Sequence, residues 1–271
     1  MFDSIRTGEE TWMDKRLKEN IPILILLIMM FIFFLAFVIS EAGTPKEASP
    51  VASFDEAVEN NLQNGTVGVE LEGGTMTTAK EERVRAAMSI DNSPTRFQFL
   101  DLTEKVDVSS EEIADLLEGR GILDGTEETF LEAQSKHGVN VFYLISHAQI
   151  ETGNGQSQLA QGIEVDGSIY YNFFGIGAFD QRAVEEGSSY AAKADWSTPE
   201  AAIMGGAAFI RKNYLENQQQ TLYAMRWNPQ HPGTHLYATD IEWAIKIGRI
   251  LESHYIRFDK EADRFITEYY Q

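Results

Sequence analysis

Glu151 ends an apolar run, His147-Ala148-Gln149-Ile150-Glu151, and is followed at once by Thr152-Gly153-Asn154-Gly155. Downstream come Tyr170-Tyr171-Asn172-Phe173-Phe174-Gly175-Ile176-Gly177 and Tyr237-Ala238-Thr239-Asp240. A carboxyl group at a helix end, facing a cleft floored by aromatics, is the arrangement that cleavage of a glycosidic bond requires. At a helix C-terminus the carboxylate meets the negative end of the dipole, and apolar neighbours strip it of water. Both effects favour the neutral acid, the form that can protonate a leaving oxygen.

Other chemistries lack their residue patterns. His147, His231 and His235 have no H-E-x-x-H spacing, so no metal site is expected. His147 reads instead as a core or supporting histidine of the helix that carries Glu151. Ser146-His147 has no G-x-S-x-G elbow, and Gly175-x-Gly177 lacks the strand-glycine-helix context of a nucleotide loop. With no cysteine there is no disulfide, thiolate zinc site or thiol nucleophile. No cofactor is expected.

A carboxyl group in this role needs a helix to end on and a groove to face. Ser109-Ser110-Glu111-Glu112 supplies a cap and an acidic first turn for a helix carrying Ile113, Leu116 and Leu117, with Gly119 and Gly121 behind it. A second helix starts at Thr126, buries Phe130, Leu131 and Ala133, and ends near Gly138. The third runs from about Asn140 to Glu151 and is apolar nearly all round, which predicts a central buried helix. Between Gly153 and Trp196 the helical period weakens, and Asp166-Gly167 marks a hairpin turn inside a small strand-and-loop lobe. Thr198-Pro199-Glu200 restarts helix as far as about Tyr214, with proline at the first helical position. Ala238 to His254 and Asp259 to Tyr270 read as two further helices. The fold class expected is mainly α (α+β), with the small β-lobe beside a helical body.

Upstream of this body, Ile21 to Ser40 carries no charged residue. As helix it would span about 30 Å, the thickness of a bilayer core. A soluble core helix would show a polar stripe, and a cleavable signal usually has a shorter apolar region, although Ser40-Glu41-Ala42 would serve as a cleavage site. Arg6, Lys15, Arg16 and Lys18 precede the run and only Lys46 follows closely, which places the N-terminus in the cytoplasm. The expected layout is a cytoplasmic tail (1–20), a single transmembrane helix (21–40), a stalk or linker (41–94) and a catalytic domain (95–271). Within the stalk, short helices are expected at Phe54 to Leu62 and Lys80 to Ile90. A net charge of -20 excludes nucleic acid as a partner, since nothing basic would neutralise phosphates.

The stretches His147–Gly155 with Ser157-Gln158-Leu159-Ala160, Tyr171–Ala178, Met225-Arg226-Trp227-Asn228-Pro229 and Pro232–Asp240 occur in that order. Together they resemble the bacterial glucosaminidase domain of glycoside hydrolase family 73, over roughly Thr95 to Arg257. The resemblance implies a lysozyme-like fold and hydrolysis of the β-1,4 bond after N-acetylglucosamine in peptidoglycan glycan strands. Glu151 matches the family's catalytic acid, and Tyr237 a tyrosine near the reacting sugar. Asp180, Glu185 and Glu186 stand where a second carboxylate would lie. Glu185 is the preferred one, unless the sugar's own acetamido group supplies the nucleophile. Asn172, Phe173, Phe174 and Gly175 are expected to shape the sugar groove, with Asp180 and Thr234 also touching substrate. Trp196 and Trp227 read as buried. The anchor resembles that of membrane-bound glucosaminidases of Gram-positive bacteria, which implies an integral-membrane protein partner. A lytic transglycosylase of the same fold and a non-catalytic wall-binding scaffold are the alternatives.

Overall fold

The capping signals act as their chemistry dictates. The Ser109 hydroxyl accepts from the Glu112 amide while the Glu112 carboxylate accepts from the Ser109 amide, a reciprocal box that starts a helix at Ser110. The Asn140 side chain accepts from the Tyr143 amide, and Thr198 does the same for Ala201 with Pro199 behind it. The computed structural model describes residues 52–63, 69–72, 75–177 and 183–271. All of these belong to one unit, Val51–Gln271. The expected membrane helix at 21–40 and its flanks lie outside the described residues. Among the described residues no helix is long and apolar enough to cross a membrane.

In chain order the elements are α1 (Phe54–Gln63), β1 (Val69–Glu72), β2 (Thr75–Thr78) and α2 (Glu81–Met88). They continue with α3 (Ser110–Leu117), α4 (Glu127–His137), α5 (Val141–Glu151), α6 (Gln158–Gln161), β3 (Ile163–Val165) and β4 (Ser168–Tyr170). The last are α7 (Ala183–Lys193), α8 (Pro199–Asn213), α9 (Leu222–Trp227) and α10 (Trp243–Arg257). Short 3-10 turns occupy Arg96–Phe99, Gly121–Leu123 and Leu215–Asn217. The β elements form two separate antiparallel hairpins, β1-β2 and β3-β4. The fold is therefore mainly helical with small sheets.

Helix α5 is the axis. Every residue from Val141 to Gln149 is buried, so the helix has no solvent face until its last turn. It runs antiparallel to α10: Asn140 donates to the Tyr255 hydroxyl at one end (2.7 Å), and Glu151 meets Trp243 at the other. Around it Phe130, Leu144, Ile203, Ile247 and Leu251 form the main core. The β3-β4 turn holds Asp166 and Gly167 at φ 51° and 83°, the left-handed pair that a two-residue hairpin demands.

Four expectations need correction. The described residues between 52 and 94, expected as linker, are part of the packed unit. Val58, Val84 and Met88 bury themselves against Tyr223, Trp227, Ile241 and Tyr269 in a second core. Its β1 also exchanges backbone bonds with the loop before α10: Val69 N donates to Thr239 O and Ile241 N to Val69 O, both 3.0 Å. That pairing holds residues 239–241 extended, which is why α10 begins at Trp243 and not at Ala238. Asp259 to Tyr270 forms no helix. Asp101 N donates to Arg264 O and Ile266 N to Phe99 O, so the chain's end docks as an extended strand-like segment. Finally, the lobe read as strand and loop contains the helix α7, and the Gly187 carbonyl within it accepts from the buried Asn172 amide (3.2 Å).

Candidate active site

The last turn of α5 carries Glu151 to the surface with a side chain one-quarter exposed (25%). Trp243, the first residue of α10, donates its indole N–H to Glu151 Oε1 at 2.9 Å. An indole nitrogen can only donate, so Oε1 is the acceptor of this pair. Oε2 lies against Gly175, where a Cβ would come within 2.7 Å of it. Gly175 also has φ 64°, a left-handed conformation that glycine adopts without strain. Glycine at 175 thus gives the acid room.

Behind the carboxyl group stands a buried aromatic cluster. His147, one helical turn before Glu151, is fully buried with Nε2 3.6 Å from Oε1, and its Nδ1 pairs with the Tyr143 hydroxyl at 3.0 Å. The His147 ring packs edge-on to Tyr237 (4.9 Å between centroids) and Trp243 (5.2 Å). Tyr237 and Trp243 stack at 5.0 Å. The Tyr237 hydroxyl donates to Phe174 O at 2.7 Å. Burial pushes the hydroxyls of Tyr237 and Tyr143 well above their ordinary range, so both keep their protons at neutral pH.

The loop that presents Tyr237 is tied to α9. Tyr237 N donates to Met225 O (2.9 Å), and the buried Arg226 guanidinium donates to the carbonyls of Asp240 (2.8 Å) and Thr239 (2.9 Å). This explains why Met225-Arg226-Trp227 matters as a motif: it is a clamp beneath the tyrosine.

The structure brings Glu151, Gly175 and Tyr237 together. Asn172 has another role from the one expected. It is buried, its amide donates to Ile176 O (2.8 Å) and Gly187 O, and its oxygen accepts from Phe174 N and Ile176 N. With its bonding spent inside the turn, it organises the Phe173–Gly177 loop and does not reach for sugar. Phe173 and Phe174 are fully buried and offer no ring face for stacking. Thr234 is exposed and donates to His231 O (2.8 Å) within its own turn. Glu185 lies exposed in the first turn of α7 and is not part of the hydrogen-bonded cluster around Glu151 among the described residues. Asp180 lies outside the described residues. Trp196 and Trp227 are buried as expected. Sequence reasoning missed Trp243, which no local motif marks and which stands 92 residues from its partner.

A partly exposed carboxyl group at the end of a buried helix, a lobe carrying one small hairpin, and a capping helix behind define a lysozyme-like glycoside hydrolase domain. The glucosaminidase family model, described as mannosyl-glycoprotein endo-beta-N-acetylglucosaminidase, matches residues 127–256. Autolysin E of Staphylococcus aureus in complex with the muropeptide NAM-L-Ala-D-iGlu superposes with a TM-score of 0.76 at 47% identity, covering 82% of this chain and 98% of that one. A catalytic glutamate-to-alanine mutant of the same protein, in complex with the disaccharide NAG-NAM, is equally similar (TM-score 0.76, 47% identity, 82% and 99% coverage). The bifunctional autolysin of Staphylococcus aureus is 40% identical over 210 residues, 73% of this chain but 17% of that protein. This chain therefore spans less than a fifth of that curated relative. It belongs to the glucosaminidase family.

Proposed function

We propose that this chain is a membrane-anchored endo-β-N-acetylglucosaminidase that hydrolyses the β-1,4 bond after N-acetylglucosamine in peptidoglycan glycan strands. The observation that carries the reading is the asymmetry of Glu151. Trp243 occupies one carboxyl oxygen and leaves the other, beside Gly175, to hold the transferable proton. Support for the substrate comes from autolysin E, whose structures hold a NAG-NAM disaccharide and a muropeptide.

In this reaction Glu151 gives its proton to the bridging oxygen as the C1–O bond breaks, and the carboxylate then takes a proton from the attacking water. Tyr237 has committed its own proton to Phe174 O, so its oxygen lone pairs remain free to accept from the sugar's acetamido N–H. Such a bond would aim the acetamido oxygen at C1 and dispense with a protein nucleophile. A β-anomeric product, read by NMR immediately after cleavage, is the expected result; an α product would require a base such as Glu185.

The uncharged run 21–40 supports an anchor that leaves the N-terminus in the cytoplasm and the body outside. Tethered this way, the enzyme reaches the wall nearest the membrane and trims newly made strands, positioned by an integral-membrane partner. The deciding experiment is digestion of purified peptidoglycan followed by mass spectrometry. New reducing N-acetylglucosamine ends are expected, and Glu151→Gln should abolish them while leaving the melting temperature within a few degrees. Anhydro-muramic ends, or lysis that survives the substitution, would sink the proposal.

A further inference from the structure

Gln149, two residues before Glu151, faces the other side of α5. There it lines a separate pocket of about 420 Å³ together with Arg120, Arg257, His254, Leu116 and Ile250. In a chain of net charge -20, two guanidinium groups bordering one cavity are unusual. Each has committed only part of its donors. Arg120 gives one N–H to Asn154 Oδ1 (2.8 Å), and Arg257 pairs through Nη2 with Asp115. His254 is buried and its Nε2 has no hydrogen-bond partner among the described residues. Burial, and then the charges of Arg120 and Arg257, push His254 down to about 4, so it is neutral at ordinary pH and does not add charge.

The walls specify more than an anion. Leu116 and Ile250 make part of the lining apolar, which suits a carboxylate on an aliphatic stub better than a bare phosphate. Asp115 holds one edge of Arg257, and its charge favours a singly charged group over a doubly charged one. The volume fits an amino-acid-sized group. The pocket is also joined to the catalytic turn. A Cβ on Gly155 would meet Arg120 O at 2.1 Å, and Ile122 N donates to Gly155 O at 3.4 Å. The turn that follows Glu151 therefore sits backbone-to-backbone on the turn that carries Arg120.

We infer that this pocket binds the free carboxylate of a short acyl-peptide. Identifying that peptide as the one attached to the cleaved glycan rests on the function proposed above; carboxylate binding itself does not. On this reading the enzyme distinguishes strands whose peptides carry free acids from strands whose peptides are amidated.

The test is calorimetric titration of the full-length chain in detergent, carrying Glu151→Gln to prevent turnover. The probes are NAM-L-Ala-D-iGlu, the same compound with its carboxyl groups amidated, and inorganic phosphate. The acid should bind at least ~10-fold more tightly than the amide, the worth of one charge-assisted hydrogen bond. Arg257→Met should erase that preference and Arg257→Lys should restore part of it. Ser253→Phe, which fills the cavity while leaving both arginines in the chain, should also erase it, so a misfolded arginine variant does not decide the matter. Equal binding of acid and amide, an unchanged preference in Arg257→Met and Ser253→Phe, or phosphate that binds as tightly and displaces the peptide would each overturn the inference. Titration does not depend on turnover, so its failure and the failure of the glucosaminidase reading are separate results.

Discussion

On the proposed mechanism, the Glu151 carboxyl group works through one hydrogen bond and one missing side chain. Trp243→Phe keeps most of the ring stack with Tyr237 and His147 but removes the donor to Oε1. Either oxygen can then carry the proton, and the side chain is free to turn. Loss of such a bond is worth about 1.5–3 kcal/mol, so kcat should fall roughly 10- to 100-fold with little change in KM or melting temperature. Steady-state kinetics on purified glycan would measure it, and an unchanged kcat would show that Trp243 does not fix the acid. Gly175→Ala attacks the other oxygen. Its methyl would stand 2.7 Å from Oε2 on a backbone held at φ 64°. Activity should fall by more than in Trp243→Phe, whereas stability should drop only about 1 kcal/mol, the cost of a left-handed alanine. A stable variant with full activity would mean that Oε2 is not the working oxygen. Glu151 and Tyr237 could be singled out as candidates because each lies in a local pattern, and the structure brings both against His147. Trp243 could not, because only the antiparallel pairing of α5 with α10 brings it near.

At the scale of elements, what local chemistry decides could be read and what distant pairing decides could not. The Ser109–Glu112 box, the Asn140 and Thr198 caps and the Asp166-Gly167 turn each act within four residues, and their elements appear where expected. The start of α10 depends on Val69, which no pattern near Ala238 reveals. The C-terminal segment has helical spacing, yet the backbone of Phe99 and Asp101 and the hydroxyls of Thr221 and Tyr223 hold it extended. Asn172 illustrates the same lesson for the site. Its type suggested sugar binding, but its four partners place it inside the turn that carries Phe174 O and Gly175. Asn172→Ala should leave buried backbone groups unpaired and cost about 3 kcal/mol, or roughly 6–12 °C in Tm for a unit of this size. Activity should fall with it, since Tyr237 loses the fixed carbonyl to which it bonds. A melting curve that does not move would return Asn172 to the role of a sugar ligand.

For the molecule as a whole, the question is where the catalytic body begins. Composition placed the boundary near residue 95, because residues 41–80 are poor in large apolar side chains and interrupted by glycine and proline. Small residues can nevertheless bury completely: Ala57, Val58, Val84 and Met88 are no more than 2% exposed. The superposition on autolysin E covers 82% of this chain, more than the stretch from residue 95 could supply. Each large apolar side chain taken from water contributes about 1.5–3 kcal/mol, so Val58, Val84 and Met88 together supply several kcal/mol. A domain's whole net stability is only about 5–15 kcal/mol. Removing residues 51–94 would also expose Tyr223 and Trp227 and release β1 from the backbone that leads out of Tyr237. A chain starting at residue 95 should therefore aggregate or melt well below one starting at residue 51. Any soluble fraction should be the less active, because its tyrosine loop has lost an anchor. Thermal melts and glycan digestion of the two purified chains decide it. Equal melting temperatures would mean that the segment is a passive linker, and that the second core adds nothing to the fold that holds Glu151.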